Sequence, residues 1–295
     1  MTTSSEPGAA RPAYAALAVV CVVWGTTYLA IRIALETVPP MLMAGIRWVV
    51  AGLIVMLALA LKGQRPPAPG QWPALAVIGL LMTSFGNGAV VWAEQTVSSG
   101  VAALLVAAVP FWMVGIERVM PDAAPVGGRR VLGLVVGFAG VILLVWPELT
   151  HPSGGSVYGI LATQLACLGW AIGSAYSRRR NPGENVLASA SVQMVAGGAA
   201  LLAVGLAIGE LPRLAFNTRT SAAVAYLVVA GSIGAFTAYL YALRHLPVTT
   251  VSIYAYINPV IAVALGSVVL GEPFSPRLVL AGSVVLVATM LVKKG

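Results

Sequence analysis

Seven side chains bring polar or aromatic chemistry into stretches that are almost free of charge: Trp24, Tyr28, Asn87, Glu94, Trp170, Tyr254 and Asn258. A polar group inside an apolar span is costly unless a partner or a cavity satisfies it. Asn87 and Glu94 are seven residues apart, two helical turns, and so share a face. They offer an amide and a carboxylate to the charged ends of a zwitterion; the other reading puts Glu94 at a helix end, solvated. Trp24 and Tyr28, spaced i and i+4, form an aromatic stripe, and aromatic walls suit an aromatic or apolar ligand by stacking and burial. Packing between helices is the competing use of that stripe. Tyr254 and Asn258 share a face just before Pro259. Pro259 and Pro110 each remove one ladder bond and permit bending, which makes them the candidate gating positions, although membrane helices also tolerate proline without any gating role. Arg47 is the one charge deep in a span. Its open partners are a ligand carboxylate, Glu94 or a backbone carbonyl, and the membrane surface by snorkelling. Gln164 and Gln193 are further polar groups within spans, and Trp72 at a helix start fits the interfacial aromatic belt.

None of this resembles catalysis. The chain has no H-E-x-x-H, no G-x-S-x-G and no paired aspartates within a span, so an enzyme is not expected. Two cysteines, Cys21 and Cys167, and two histidines, His151 and His245, form neither a disulfide framework nor a metal cluster by spacing. Neither a metal nor a cofactor is expected, and without a P-loop any driving energy comes from gradients.

The elements that must position these residues follow from composition. Of 295 residues 59% are hydrophobic and 9% charged, with a mean hydropathy of +0.92. A soluble domain carries ~25% charged residues, so this composition implies an integral membrane protein. The net charge of +8 does not point to nucleic acid, because no basic run exceeds Arg178 to Arg180 and none is interleaved with aromatics. Nine windows free of charge cover 12–31, 66–93, 95–116, 131–147, 152–177, 185–209, 220–243, 246–271 and 278–292, and a tenth, 41–61, is broken only by Arg47. A helix crosses the hydrocarbon core with ~20 residues. The expectation is therefore an all-α, ten-helix membrane protein: a cytoplasmic tail over 1–13, five helices over 14–147 and five over 157–295.

Twelve of the seventeen lysines and arginines fall in inside segments if the N-terminus is cytoplasmic, four fall outside, and Arg47 lies in a span. That asymmetry predicts both termini inside a cell membrane. The halves also resemble each other. At an offset of 146, Cys21, Trp24 and Arg32 meet Cys167, Trp170 and Arg178; at 149, Ala93, Pro110 and Val114 meet Ala242, Pro259 and Val263. Five spans per repeat is an odd number, which inverts the second repeat. Inverted repeats build transporters that hold substrate near mid-bilayer and work by alternating access. Gly133, Gly137 and Gly140 in the fifth span permit close approach of another helix, and the tenth span, with Ala281 and Gly282, is the expected partner.

The segment Trp24-Gly25-Thr26-Thr27-Tyr28 through Arg32, then Pro39-Pro40-Met41-Leu42-Met43-Ala44-Gly45-Ile46-Arg47, resembles the EamA permeases of the drug/metabolite transporter superfamily, and in particular their YedA-like branch. So do Gly86-Asn87-Gly88, Ala93-Glu94-Gln95, Ser99-Gly100-Val101-Ala102-Ala103, the run from Ser252 to Val260, and Gly271-Glu272-Pro273. The resemblance implies two inverted repeats, with helices 3, 4, 8 and 9 lining a cavity flanked by 1, 2, 6 and 7. Studied members export amino acids, including aromatic ones, and other small metabolites. One departure stands out. Related small multidrug resistance proteins carry a carboxylate where this chain has Val22 and, in the second repeat, Leu168, so no coupling carboxylate lies there. The expected function is export of small organic metabolites, chiefly apolar or aromatic amino acids. A channel-like pore and a multidrug or other-metabolite permease are the alternatives. A small-molecule substrate and the bilayer are the expected partners, and no pattern in the chain sets an oligomeric state.

Overall fold

Inside lipid every backbone N–H and C=O must be satisfied within the protein, which leaves helices as the structure for these apolar windows. A computed structural model describes residues 7–119, 127–150, 155–180, 185–251 and 253–294; His151 and the first six residues of the expected tail lie outside that set. Among the described residues ten helices follow one another: α1 (Pro7–Ala34), α2 (Pro40–Leu61), α3 (Pro69–Ala93), α4 (99–119), α5 (Gly128–Thr150), α6 (Ser156–Arg180), α7 (Val186–Ala207), α8 (Thr218–His245), α9 (Val248–Val251 and Tyr254–Leu270) and α10 (Pro276–Lys294). Seven of them are long and apolar enough to cross a membrane, and shorter apolar stretches lie in α5, α9 and α10. The boundary expected at residue 13 falls inside α1, which reaches back to Pro7 through Ala9 and Ala10, good helix formers.

Helix ends are capped by side chains from other parts of the chain. Glu210, after α7, accepts from the Met41 and Leu42 amides (3.3 and 2.9 Å) at the start of α2. Glu272, after α9, accepts from the Ser99 amide (2.9 Å), the Ser99 hydroxyl (2.7 Å) and the Gly100 amide (3.3 Å) at the start of α4. A carboxylate there satisfies orphan N–H groups and meets the positive end of the helix dipole. Asn217 and Thr220 cap α8 reciprocally.

The packing repeats itself. α2 lies along α7 and α5 along α10; α1 packs on α8 and α9 much as α6 packs on α3 and α4. Gly140 of α5 makes one of these contacts close, since a Cβ there would sit 2.9 Å from side-chain carbons of Val284 and Val285. Gly137 instead faces Phe111 of α4. α3 and α8 share a feature that no sequence pattern announced: each is wound as a π-helix through its middle, over Leu80–Asn87 and Leu227–Phe236. Such wide turns recur at functional sites. α4 is interrupted after Val106, and Pro110 is the second residue of its second piece, Val109–Val119. α9 comprises Val248–Val251 and Tyr254–Leu270, and Pro259 lies inside the longer piece. The second helix boundary therefore falls before Tyr254 rather than at Pro259.

Candidate functional site

Where the two halves meet, a narrow cavity of about 70 Å³ opens among the helices, smaller than the ~300–1,000 Å³ of a drug-sized site. α1 contributes Trp24, Thr27, Tyr28 and Ile31; α2 contributes Arg47 and Trp48; α3 contributes Gly86, Asn87 and Val90. α4, α6 and α9 complete it with, among others, Val109, Trp170, Tyr254 and Asn258. Six of the seven residues singled out from the sequence thus share one wall. Glu94 is not among the lining residues; it lies one helical turn past Val90 on the same face of α3 and is fully buried.

The lining differs from the helix set that the family resemblance implied. α1, α2 and α6 take part, and α8 supplies no lining residue. The polar groups of α8 are engaged behind the wall instead. The Gly231 carbonyl accepts from Trp24 Nε1 (3.2 Å), the Ser232 hydroxyl accepts from Arg47 Nε (2.8 Å), and the Tyr239 hydroxyl accepts from Trp170 Nε1 (3.2 Å). Gly231 lets α8 approach closely: a Cβ there would stand 3.0 Å from Arg47 Nη2 and 3.1 Å from a Thr27 methyl, so those side chains would have to shift slightly.

The aromatic residues form one interlocked group. The Trp24 ring centroid lies 5.3 Å from Trp170, 5.1 Å from Tyr239 and 5.2 Å from Tyr254, edge-on to the first and last. Such pairs are worth ~0.5–1.5 kcal/mol each beyond burial, so they stabilise the wall. Trp24 therefore serves packing and cavity lining at once. Trp48 in the wall and Tyr239 behind it escaped sequence reasoning because nothing in a one-dimensional pattern separates them from interfacial aromatics. Asn87 Oδ1 accepts from Trp48 Nε1 (2.9 Å). With its amide oriented to satisfy its neighbours, Asn258 donates to the carbonyls of Tyr254 (3.0 Å) and Cys21 (2.9 Å), tying α9 to α1. Gln164 accepts from Trp112 Nε1 (3.1 Å) and Gln193 is buried; neither lines the cavity. Trp72 is exposed and donates to the Pro67 carbonyl (3.0 Å).

Two charges lie deep in the protein beside this wall. Arg47 is 2% exposed, and beyond its bond from Nε to Ser232 its Nη1 has no hydrogen-bond partner among the described residues. Both carboxylate oxygens of Glu94 are likewise without one. Near Glu94 the guanidinium of Arg32 donates to the Glu94 backbone carbonyl and stands 3.8 Å from Glu272. With the Glu272–Ser99 contacts, this joins the ends of α1, α3, α4 and α9 beside the cavity. Among the described residues no group of three or more His, Cys, Asp or Glu side chains is placed to hold a metal.

Residues 11–146 and 157–293 each match the EamA-like transporter family, so the family unit occurs twice. The chain is 35% identical over 291 residues to the uncharacterized inner membrane transporter YedA of Escherichia coli K12, covering 96% of this chain and 91% of that protein. It is 20% identical to the uncharacterized transporter YoaV of Bacillus subtilis, covering 88% of this chain and 89% of that one. A solved crystal structure with 20% identity has the same fold, with a TM-score of 0.70 over 95% of both chains. Two five-helix halves around a shared cavity, each matching the family by itself, lead to one assignment: this chain belongs to the EamA-like transporter family.

Proposed function

We propose that this membrane transporter exports small organic metabolites, chiefly amino acids with apolar or aromatic side chains, by alternating access. The observation that carries the reading is the cavity at the junction of the repeats. Trp24, Tyr28, Trp170 and Tyr254 give it an aromatic wall, and Asn87, Asn258 and Arg47 add polar atoms. Fully burying an aromatic side chain contributes ~1.5–3 kcal/mol, enough for one to two decades of affinity at ~1.4 kcal/mol each. The likeness to an inner membrane transporter and the distribution of lysine and arginine favour the inner membrane with both termini cytoplasmic.

Countertransport in proteoliposomes tests the reading. Labelled tryptophan or phenylalanine should exchange faster when unlabelled substrate is present on the far side. A channel-like pore would give no such acceleration, and a multidrug permease would take up cationic dyes in place of amino acids. Val22 and Leu168, standing where a cation-binding carboxylate is expected, weigh against the multidrug alternative.

A further inference from the structure

Arg47 and Glu94 carry ionisable groups of opposite type, and both are buried: Arg47 lines the cavity, and Glu94 lies one helical turn past the lining residue Val90. They nevertheless form no ion pair: Arg47 Nη1 and both Glu94 oxygens have no partner among the described residues. A buried ionisable group with unpartnered polar atoms is unfavourable for the empty protein, because its desolvation is uncompensated.

The inverted repeat removes the ordinary explanation. At the offset that relates α2 to α7, Arg47 corresponds to Gln193, itself buried, with its backbone carbonyl accepting from Thr83 in the π-wound part of α3 and its side-chain oxygen likewise without a partner among the described residues. At the offset that relates α3 to α8, Glu94 corresponds to Leu243, a buried apolar residue. Packing at these two places is therefore met by a neutral amide and a leucine in the other half. Among the described residues these two ionisable groups stand at these places in one half only, Arg47 in the cavity wall and Glu94 one turn beyond it.

We propose that Arg47 and Glu94 form a clamp for a zwitterion. The guanidinium binds the substrate's α-carboxylate, Glu94 binds its α-ammonium, and the side chain lies against the aromatic wall. This rests on the reading of the cavity as an amino-acid site and deepens it: the protein selects for both charged ends, not for the side chain alone. Asn87 lines the cavity and already accepts from Trp48, and the ammonium site is assigned to Glu94.

The test measures binding to the purified protein of two matched sets: tryptophan, tryptamine and indole-3-propionate; and leucine, isopentylamine and 4-methylpentanoate. The wild type should bind each zwitterion at least roughly tenfold more tightly than either analogue with a single charge. Arg47→Gln, which installs the amide of the other repeat, should erase the preference of zwitterion over amine and keep that over acid. Glu94→Gln should do the reverse. If Arg47→Gln does not fold, Arg47→Lys keeps the charge without the planar fork and should weaken zwitterion and acid by the same factor, leaving the amine unchanged.

Variants that fold but leave all ratios unchanged overturn the clamp, as does a wild type that binds analogues and zwitterions alike. So does a Glu94→Gln protein that binds normally but loses dependence on a pH gradient, since the carboxylate would then carry a proton. The failures are distinguishable. Tryptophan transported with no preference for zwitterions sinks the clamp and spares the amino-acid reading. Preference in the leucine set but not the tryptophan set sinks the aromatic emphasis and spares the clamp.

Discussion

At the scale of single residues, the cavity wall shows how one side chain serves stability and binding together. Trp24 is nearly buried, touches three other aromatic rings and donates to a carbonyl on a neighbouring helix. Trp24→Ala should lower stability by ~3–5 kcal/mol, as large-to-small changes in packed sites do, so a transport loss in that variant does not isolate binding. Trp24→Phe is the cleaner probe. It keeps a ring and leaves one carbonyl unpaired, a cost of about 1–3 kcal/mol, seen as a modest fall in detergent melting temperature with transport of aromatic substrate weakened. Asn87→Asp keeps an acceptor for the Trp48 indole and should melt near wild type, whereas Asn87→Ala should not. Equal melting of the two Asn87 variants would mean that this bond contributes nothing.

At the scale of elements, the two long pairings, α2 with α7 and α5 with α10, depend on small residues at the contact. Gly140 faces Val284 and Val285, including the Val285 backbone nitrogen at 3.1 Å from an added Cβ, so the neighbouring helix has to move if a methyl is placed there. Gly140→Ala should destabilise by ~1–3 kcal/mol, the usual penalty for overpacking. Gly115→Ala, where an added Cβ meets nothing within 4 Å, should be neutral or slightly stabilising through helix propensity. Melting in a single detergent compares them, and equal shifts would mean that α5 and α10 separate at no cost. The π-wound stretches belong to this scale as well. A wider turn releases carbonyls from the ladder; in α8 that stretch contains Gly231 and Ser232, whose polar atoms hold Trp24 and Arg47.

At the scale of the whole molecule, the predicted orientation is checkable with single cysteines. The native Cys21 and Cys167 are both buried, which gives a low background for a membrane-impermeant thiol reagent. Leu211→Cys, in the exposed connection after α7, should be labelled in intact cells, and Gln64→Cys, in the connection after α2, should be labelled only after the membrane is opened. The opposite pattern would reverse the orientation. Labelling at both sites in intact cells would place the two connections on one side and break the ten-span arrangement.

Much of this architecture was legible in one dimension for a physical reason. Lipid forbids unpaired backbone, so a charge-free run of about twenty residues has one available structure, and ten such runs in two similar sets of five fix the helix count and the inverted repeat. The candidate wall was legible too, because Trp24, Tyr28, Asn87, Tyr254 and Asn258 are expensive or bulky where the sequence puts them. What a sequence cannot encode locally is which distant atom satisfies which. Glu210 and Glu272 look like loop charges until folding brings them onto the ends of α2 and α4. Arg47 had several open partners in the sequence, and only the packing of α2 against α8 decided that Ser232 takes one nitrogen and leaves another unpaired beside the cavity. Hydrophobicity is a property of each residue and survives being read in order; complementarity is a property of pairs far apart in the chain and exists only once the fold has brought them together.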